Sequence, residues 1–129
     1  MVKAISDLLQ YSNELHMALQ KSIYHWQRIC AFIKAEMYDG TELDTASDIS
    51  ANMLYMYNES MYGESCPLCK LAEARCTNCV LYAYGMDCDK EHSPWGEVMM
   101  STTMEELLNN AEHMVGILKE IFRQVVEAT

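Results

Sequence analysis

Five of the six cysteines lie close together in the middle of the chain, within 23 consecutive residues. Four of them form two Cys-x-x-Cys pairs separated by six residues, and the fifth follows nine residues after the second pair. Each pair can direct two thiolates at one ion, and two pairs complete the tetrahedron that zinc prefers. The spacing therefore predicts one metal site, with the candidate ligands Cys66, Cys69, Cys76, Cys79 and Cys88.

A tetrahedral site has four positions, so this cluster carries one thiol more than it needs. Cys76 and Cys88 compete for the last position, and the other three cysteines are the first choice as ligands. His92, four residues after Cys88, is a further candidate ligand. The sequence leaves these alternatives open.

Soft thiolate ligands suit zinc or an iron–sulfur cluster. We expect structural zinc, and an iron–sulfur cluster with similar four-cysteine spacing is the alternative. A catalytic zinc keeps an open position and has His or carboxylate among its ligands. The His-x-Glu element of the zinc deaminases does not precede Cys66, and no Ser/His/Asp set or glycine-rich loop is evident. The chain is therefore not expected to be an enzyme.

The expected cellular compartment favours metal binding over disulfide formation by these cysteines. The N-terminus, which starts Met1-Val2-Lys3, lacks the apolar core of a signal peptide, and no apolar run reaches the ~20 residues that span a bilayer. We expect the protein to stay in the cytoplasm where it is made, without membrane contact. Thiols stay reduced there, which leaves them free for a metal ion.

Helices predicted from the spacing of apolar residues must position the cluster. From Val2 to Met37 such residues recur every three or four positions, with no proline or glycine between them. A helix of this length would be about 50 Å long, so it either projects or breaks near Ser22. Cys30 lies on this apolar stripe and is expected to be a buried core residue. The stripe comprises Leu8, Ser12, Leu15, Leu19, Ile23, Trp26, Cys30, Ile33 and Met37.

Two further helices are predicted, one on each side of the cysteine cluster. The first starts at Thr45 and ends at Gly63. Its predicted buried face comprises Ala46, Ile49, Met53, Met56 or Tyr57, and Ser60. The last helix starts at the capping pattern of Thr103 and Glu106, and its apolar stripe should pack against that of the first helix. That stripe comprises Met104, Leu107, Leu108, Ala111, Met114, Val115, Leu118, Ile121, Phe122 and Val125.

These elements predict an all-α fold, a helical hairpin or bundle in a single domain of residues 1–129. A cysteine-rich metal knuckle at about 64–96 is inserted before the C-terminal helix. Within the knuckle we expect irregular structure and one short helix around Lys70 to Arg75.

The charge balance narrows the class of partner. Nine basic residues against 19 acidic residues give a net charge of −10. Direct nucleic-acid binding needs a basic face, which is not evident, so it is not expected. Acidity instead favours a well-solvated surface, a basic protein partner or mimicry of a polyanion.

Several motifs together resemble a family of small phage-encoded proteins. The family runs S-I-x-H-W on a helix, then C-x-L-C, C-x-x-C-P, a further Cys and [ST]-P-[YW]. Here these are Ser22-Ile23-Tyr24-His25-Trp26, Cys66-Pro67-Leu68-Cys69, Cys76-Thr77-Asn78-Cys79, Cys88 and Ser93-Pro94-Trp95. The similarity covers roughly 18–95, and the chain departs from it at Val80, where the family often has proline, and in a longer gap after Cys88. The resemblance implies a phage origin and a metal site.

Four residues are candidates for a supporting role around the metal or for contact with a ligand, namely His25, Trp26, His92 and Trp95. Neighbours on a helix lie about 100° apart, so Trp26 falls on the apolar stripe and His25 at its edge. His25 could be structural, ligate the metal, hydrogen-bond a cysteine sulfur or touch a ligand. Ser93-Pro94-Trp95 is interpreted as a turn that stacks an indole onto the knuckle.

The function that fits best is a small phage-type zinc protein that binds a host protein and modulates or inhibits it, for example a defence component. One alternative is a binding sponge for a small ligand such as a nucleotide, although the acidity disfavours anionic ligands. A second alternative is an iron–sulfur redox protein. Two long helices with apolar stripes would also suit a homodimer.

Overall fold

A computed structural model describes residues 2–38, 46–58, 60–61, 67–71, 81 and 93–128. These residues contain no strand, so the predicted all-α fold class is confirmed. The cysteine-rich knuckle lies mostly outside them, and that part of the fold stays a prediction. The described helices are α1 (Val2–Tyr38), α2 (Ala46–Tyr57), α3 (Pro67–Leu71), α4 (Pro94–Met99) and α5 (Met104–Ala128).

Helices α1 and α5 form an antiparallel hairpin, as their apolar stripes predict. Near the start of α1, the rings of His16 and Phe122 meet edge to face with centroids 6.1 Å apart. Near its end, Lys34 Nζ lies 3.5 Å from a carboxylate oxygen of Glu112. The sequence allowed a break near Ser22, but α1 continues through it as one 37-residue helix.

α1 is buried over a wider arc than its predicted stripe. The stripe residues Leu19, Ile23, Trp26, Cys30 and Ile33 are all buried. A second, neighbouring track is buried as well, and it comprises Ala18, Ser22, His25, Ile29 and Phe32. At 100° per residue the two tracks together cover about half of the helix circumference. One partner helix cannot cover such an arc, so α1 is packed from more than one side.

α2 is shorter than predicted. It ends at Tyr57, because Asn58 adopts the left-handed conformation (φ 57°) and its N–H donates to the carbonyl of Leu54 at 3.0 Å. Asparagine is one of the few residues that take this conformation readily at a helix end. The predicted buried face is correct at Ile49 and Met53. It is wrong at Met56 and Tyr57, which are exposed, whereas Ser60, which lies beyond the end of the helix, is buried as predicted.

The start of α5 was predicted correctly. The N–H of Glu106 donates to Thr103 Oγ1 at 3.1 Å, and this bond satisfies one of the open N–H groups at the helix end. Every residue of the predicted α5 stripe is buried or partly buried in the core. Asn110 joins α5 to the end of α4, since its Nδ2 donates to Ser101 Oγ and to the carbonyl of Glu97.

One cluster of buried side chains draws on all five described helices and on Leu81. α1 packs against α5 and α3, while α4 packs against α5 and α2. Within the described part of the chain, no helix is both long and apolar enough to cross a membrane.

Candidate metal centre and its supporting helices

The predicted metal ligands fall largely outside the described residues. Cys69 lies in α3, where its backbone is described and its side chain is not. The other candidates lie outside the described ranges, and they are Cys66, Cys76, Cys79, Cys88 and His92. Among the residues that are described, no group of three or more His, Cys, Asp or Glu could hold a metal ion. The ligand set therefore stays a prediction.

The helix that carries Cys69 is anchored in the core. Leu68 is buried and Leu71 packs against the same cluster of buried side chains. The two leucines are three residues apart and so share one face of α3. α3 packs against α1, so Cys69 belongs to a segment that rests on the long helix. A short helix was expected around Lys70 to Arg75; the described helix spans Pro67–Leu71, and residues 72–75 lie outside the described residues.

His25 is not at the edge of the buried surface, where the sequence placed it. Its side chain is 2% exposed, because α1 is buried along the second track as well as along the stripe. Its ring lies edge to face against Trp26, with centroids 6.2 Å apart and planes at 76°. Trp26 is itself buried in the core, as its stripe position predicted. His25 is thus a buried polar group on the helix that supports Cys69.

Ser22 is the second polar side chain on this track. It is 1% exposed, and among the described residues its hydroxyl has no hydrogen-bond partner. A buried hydroxyl without a partner costs about 1–3 kcal/mol. Apolar packing therefore does not explain why a serine lies here.

The two ends of the cysteine-rich knuckle are joined by an indole. Trp95 Nε1 donates to the carbonyl of Met61 at 2.8 Å, and the N–H of Met61 donates to Ser50 Oγ at 2.9 Å. Met61 precedes the knuckle and Trp95 lies at its end, so these bonds hold entry and exit together. Closing a loop of this length before a metal binds lowers the entropy that binding has to overcome.

The segment around Trp95 is a helix start rather than the predicted turn. Ser93 caps α4, because its Oγ accepts from the N–H of Gly96 at 3.0 Å. Pro94 occupies the first turn, where the N–H that it lacks would have no partner in the helix. The serine and the proline place the indole beside Met61.

Cys30 is a core residue, as its position on the stripe predicted. It is a free, buried thiol on α1. Burial, and to a smaller degree the carboxylate of Glu112, raises the pKa of this thiol to about 11. Metal ligation needs the thiolate, which this environment disfavours.

Sequence reasoning missed three supporting residues, Ser22, Ser50 and Met61. The spacing of Ser22 and His25, one helical turn apart, could have indicated that they share a side of α1. The bond from Met61 to Ser50 depends on how the chain turns after α2, and periodicity carries no signal for that.

Comparison with known proteins finds no matching family model, no matching curated protein and no matching solved structure. The likeness to small phage-encoded proteins stays a prediction from the motifs.

Proposed function

We propose that the chain is a small zinc-binding protein, of phage type, that binds a host protein and modulates or inhibits it without catalysing a reaction. Three features support this proposal. They are the paired cysteine motifs, the net charge of −10 and a group of exposed apolar side chains on α2.

The observation that carries the proposal is the exposed end of α2. Leu54, Tyr55, Met56 and Tyr57 are consecutive and all exposed, and Tyr55 reaches 91%. We call these four residues the α2 apolar turn. Because consecutive residues point in different directions around a helix, the group is apolar on several sides. Apolar groups of this kind mark interaction surfaces, where Tyr and Met are enriched.

The charge of the chain favours a partner with a basic surface. Asp48 is exposed on the same helix as the α2 apolar turn. Acidic side chains accelerate encounter with a basic partner, whereas the rate of dissociation depends mainly on buried apolar contacts. We therefore expect acidic side chains to set the association rate and the α2 apolar turn to set the dissociation rate.

Zinc would act by ordering the knuckle. The segment between Cys66 and Cys88 contributes Leu68, Leu71 and Leu81 to the core, and metal ligation would order the rest of it. Two paired thiolate motifs on one ion would fix it next to α3. The metal then has a structural role, with all four positions filled by protein.

Elemental analysis of purified protein tests the metal. We expect about one zinc per chain, and loss of that zinc in Cys69→Ser. Cys30→Ser is the control and should keep its zinc, because Cys30 lies in the core. A metal-free protein, or a brown protein that contains iron, would contradict zinc as the cofactor.

Affinity capture from host cells, with identification by mass spectrometry, tests the partner. A captured protein supports the proposal only if it binds again from purified components at a fixed stoichiometry. Tyr55→Ser with Met56→Ser should weaken binding at least about tenfold. Met100→Ser removes an apolar side chain that is 71% exposed on another segment, and it should have no effect.

Salt dependence and charge reversal test whether acidic side chains steer the partner towards the protein. Association should slow as salt rises above ~0.1 M, where the Debye length falls below about 10 Å. Reversing the charges of the acidic group Asp39, Glu42, Asp44 and Asp48 should slow association and reduce its salt dependence. Only Asp48 of these lies within the described residues. An unaltered association rate would exclude steering by this segment.

A further inference from the structure

The last turn of α2 protrudes from the protein. Met53 and Tyr57 are four residues apart and share one side of the helix, yet Met53 is 1% exposed in the core and Tyr57 is 59% exposed. The cover over this side of α2 therefore ends within one turn. Asn58, which follows, is exposed as well and takes the left-handed conformation that ends the helix. The α2 apolar turn is thus convex.

Leu54 and Met56 extend the protrusion to opposite sides of the helix. Two positions along a helix correspond to a rotation of 200°, so these two side chains point about 160° apart. Both are exposed, and so is Tyr55 between them. A flat surface contacts one side of such a turn and leaves the other in water. A concave surface is needed to cover Leu54 and Met56 at the same time.

The base of the protrusion is held by a ring contact. The ring of Tyr57 meets the buried ring of Phe32 from α1 edge to face, with centroids 5.8 Å apart and planes at 87°. Because this contact restricts the turn before a partner arrives, less conformational entropy is lost on binding. The protruding group is small, and interface side chains contribute most where water is fully excluded from them. A pocket provides that exclusion for a convex group.

The charge beside the protrusion indicates the chemistry of the pocket rim. Asp48 precedes Tyr55 by seven residues, so both lie on the same exposed side of α2, about 10 Å apart along its axis. α2 (Ala46–Tyr57) contains no Lys, Arg or His. A carboxylate in this position complements a basic group on the partner. A second copy of a chain with a net charge of −10 would instead be repelled.

We propose that the α2 apolar turn inserts into a concave apolar pocket of the partner protein, and that a basic side chain on the rim of this pocket pairs with Asp48. Tyr55 fills the pocket, while Leu54 and Met56 contact its opposite walls. This inference rests on the proposed function and names the kind of surface that the partner presents.

Single substitutions on opposite sides of α2 test the pocket. The probe is the host protein that affinity capture recovers and that binds again from purified components. Leu54→Ser and Met56→Ser should each lower its affinity about tenfold, because a pocket contacts both side chains. Leu54→Met and Met56→Leu keep apolar side chains of similar size and should stay within about threefold of wild type. The midpoint of urea unfolding should not change in any of the four, since both positions are exposed.

Two further variants separate the pocket from its rim. Ala51→Ser changes an exposed residue one turn before Tyr55, outside the α2 apolar turn, and should leave affinity within about twofold. Asp48→Asn should slow association and reduce its dependence on salt, and Asp48→Glu should restore both. An Asp48→Asn variant that associates at the wild-type rate would overturn the basic rim.

The remaining outcomes distinguish the pocket from the proposed function. If only one of Leu54→Ser and Met56→Ser weakens binding, the partner contacts one side of the turn, so the pocket is overturned and the proposed function stands. If the purified chain is a dimer that both changes dissociate, a second copy covers the turn. If no host protein binds again from purified components, the proposed function itself is contradicted.

Discussion

The two buried sides of α1 differ in chemistry although they belong to one helix. The side towards α5 is lined by apolar residues and one protonated thiol, Cys30. The other side alternates apolar residues with Ser22 and His25. Burying a polar group has a cost that apolar residues of similar size would avoid. The first side is therefore explained by packing alone, whereas the second needs partners and is where functional constraint is expected.

The difference between the two sides also indicates which regions of the molecule zinc should stabilise. The α1–α5 hairpin is held by buried apolar side chains, so we expect its stability not to depend on a metal ion. The knuckle should depend on it. Perturbations can therefore be ranked by the side on which they act and by whether their effect changes when zinc is removed.

The largest effect on stability is expected from truncating a side chain on the face of α1 that packs against α5. Leu19 is fully buried there, and Leu19→Ala should lower the free energy of unfolding by about 2–5 kcal/mol through lost burial and a cavity. We expect the loss to be equal with and without zinc, because this side belongs to the core that α1 shares with α5. Urea unfolding of both forms measures it.

Gln20→Ala is the control for this change. The side chain of Gln20, next to Leu19 in the chain, is exposed, so its truncation should change the free energy of unfolding by less than about 0.5 kcal/mol. If the cost of Leu19→Ala vanished in metal-free protein, the hairpin would depend on the metal and the division between the two sides of α1 would be wrong.

A smaller, pH-dependent effect is expected from Cys30 on the same side. The pKa of its thiol is about 11 in the folded chain and returns to its ordinary 9.0 on unfolding. The folded state then holds this proton more tightly. Its contribution to stability is complete below pH 9 and is lost as pH rises towards 11, by about 1–3 kcal/mol.

The measurement is the difference in unfolding free energy between wild type and Cys30→Ala across pH 8 to about 11. Subtracting the variant's curve isolates the thiol from every other group that ionises at high pH. The wild type should lose stability faster than the variant. Parallel curves would mean that the thiol is not held protonated by its burial.

The parts of the fold that sequence predicted are those where one physical rule acts alone. The α5 stripe and its Thr103 cap were predicted correctly because amphipathic spacing and a local side-chain bond determine them. The stripe of α1 was correct from Leu19 to Ile33 for the same reason, whereas Met37 at its end is exposed. The second track was missed because polar Ser22 and His25 interrupt the apolar pattern there, and only the packing of a second neighbour buries them.

Local backbone conformation and long-range contacts account for the other differences. α2 ends at Tyr57 rather than at Gly63, since the left-handed residue Asn58 stops the helix before the glycine. Trp95 was expected to stack on the knuckle, which lies mostly outside the described residues. Its indole N–H donates to a carbonyl 34 residues earlier, a bond that the sequence did not predict. No local pattern identifies such a partner. The cysteine spacing predicts a metal site with more specificity than any of these patterns, yet which thiols ligate depends on chain geometry that spacing leaves open.

The smallest effect is expected where the knuckle is tied to the rest of the chain. Trp95→Phe keeps an aromatic ring but removes the N–H that bonds to Met61, so it leaves a carbonyl of a buried residue without its partner. The cost should be about 1–2 kcal/mol. Hydrogen exchange should accelerate around Met61 and in α4, while the amides of the α1–α5 hairpin keep their protection, because the bond joins only the two ends of the insert.

Tyr24→Phe is the control, because it removes a polar group from an exposed ring of α1 and should leave both stability and exchange unchanged. If Trp95→Phe behaved like Tyr24→Phe, the ends of the insert would be held by packing rather than by this bond. Faster exchange throughout the hairpin would instead show that the two regions unfold as one unit.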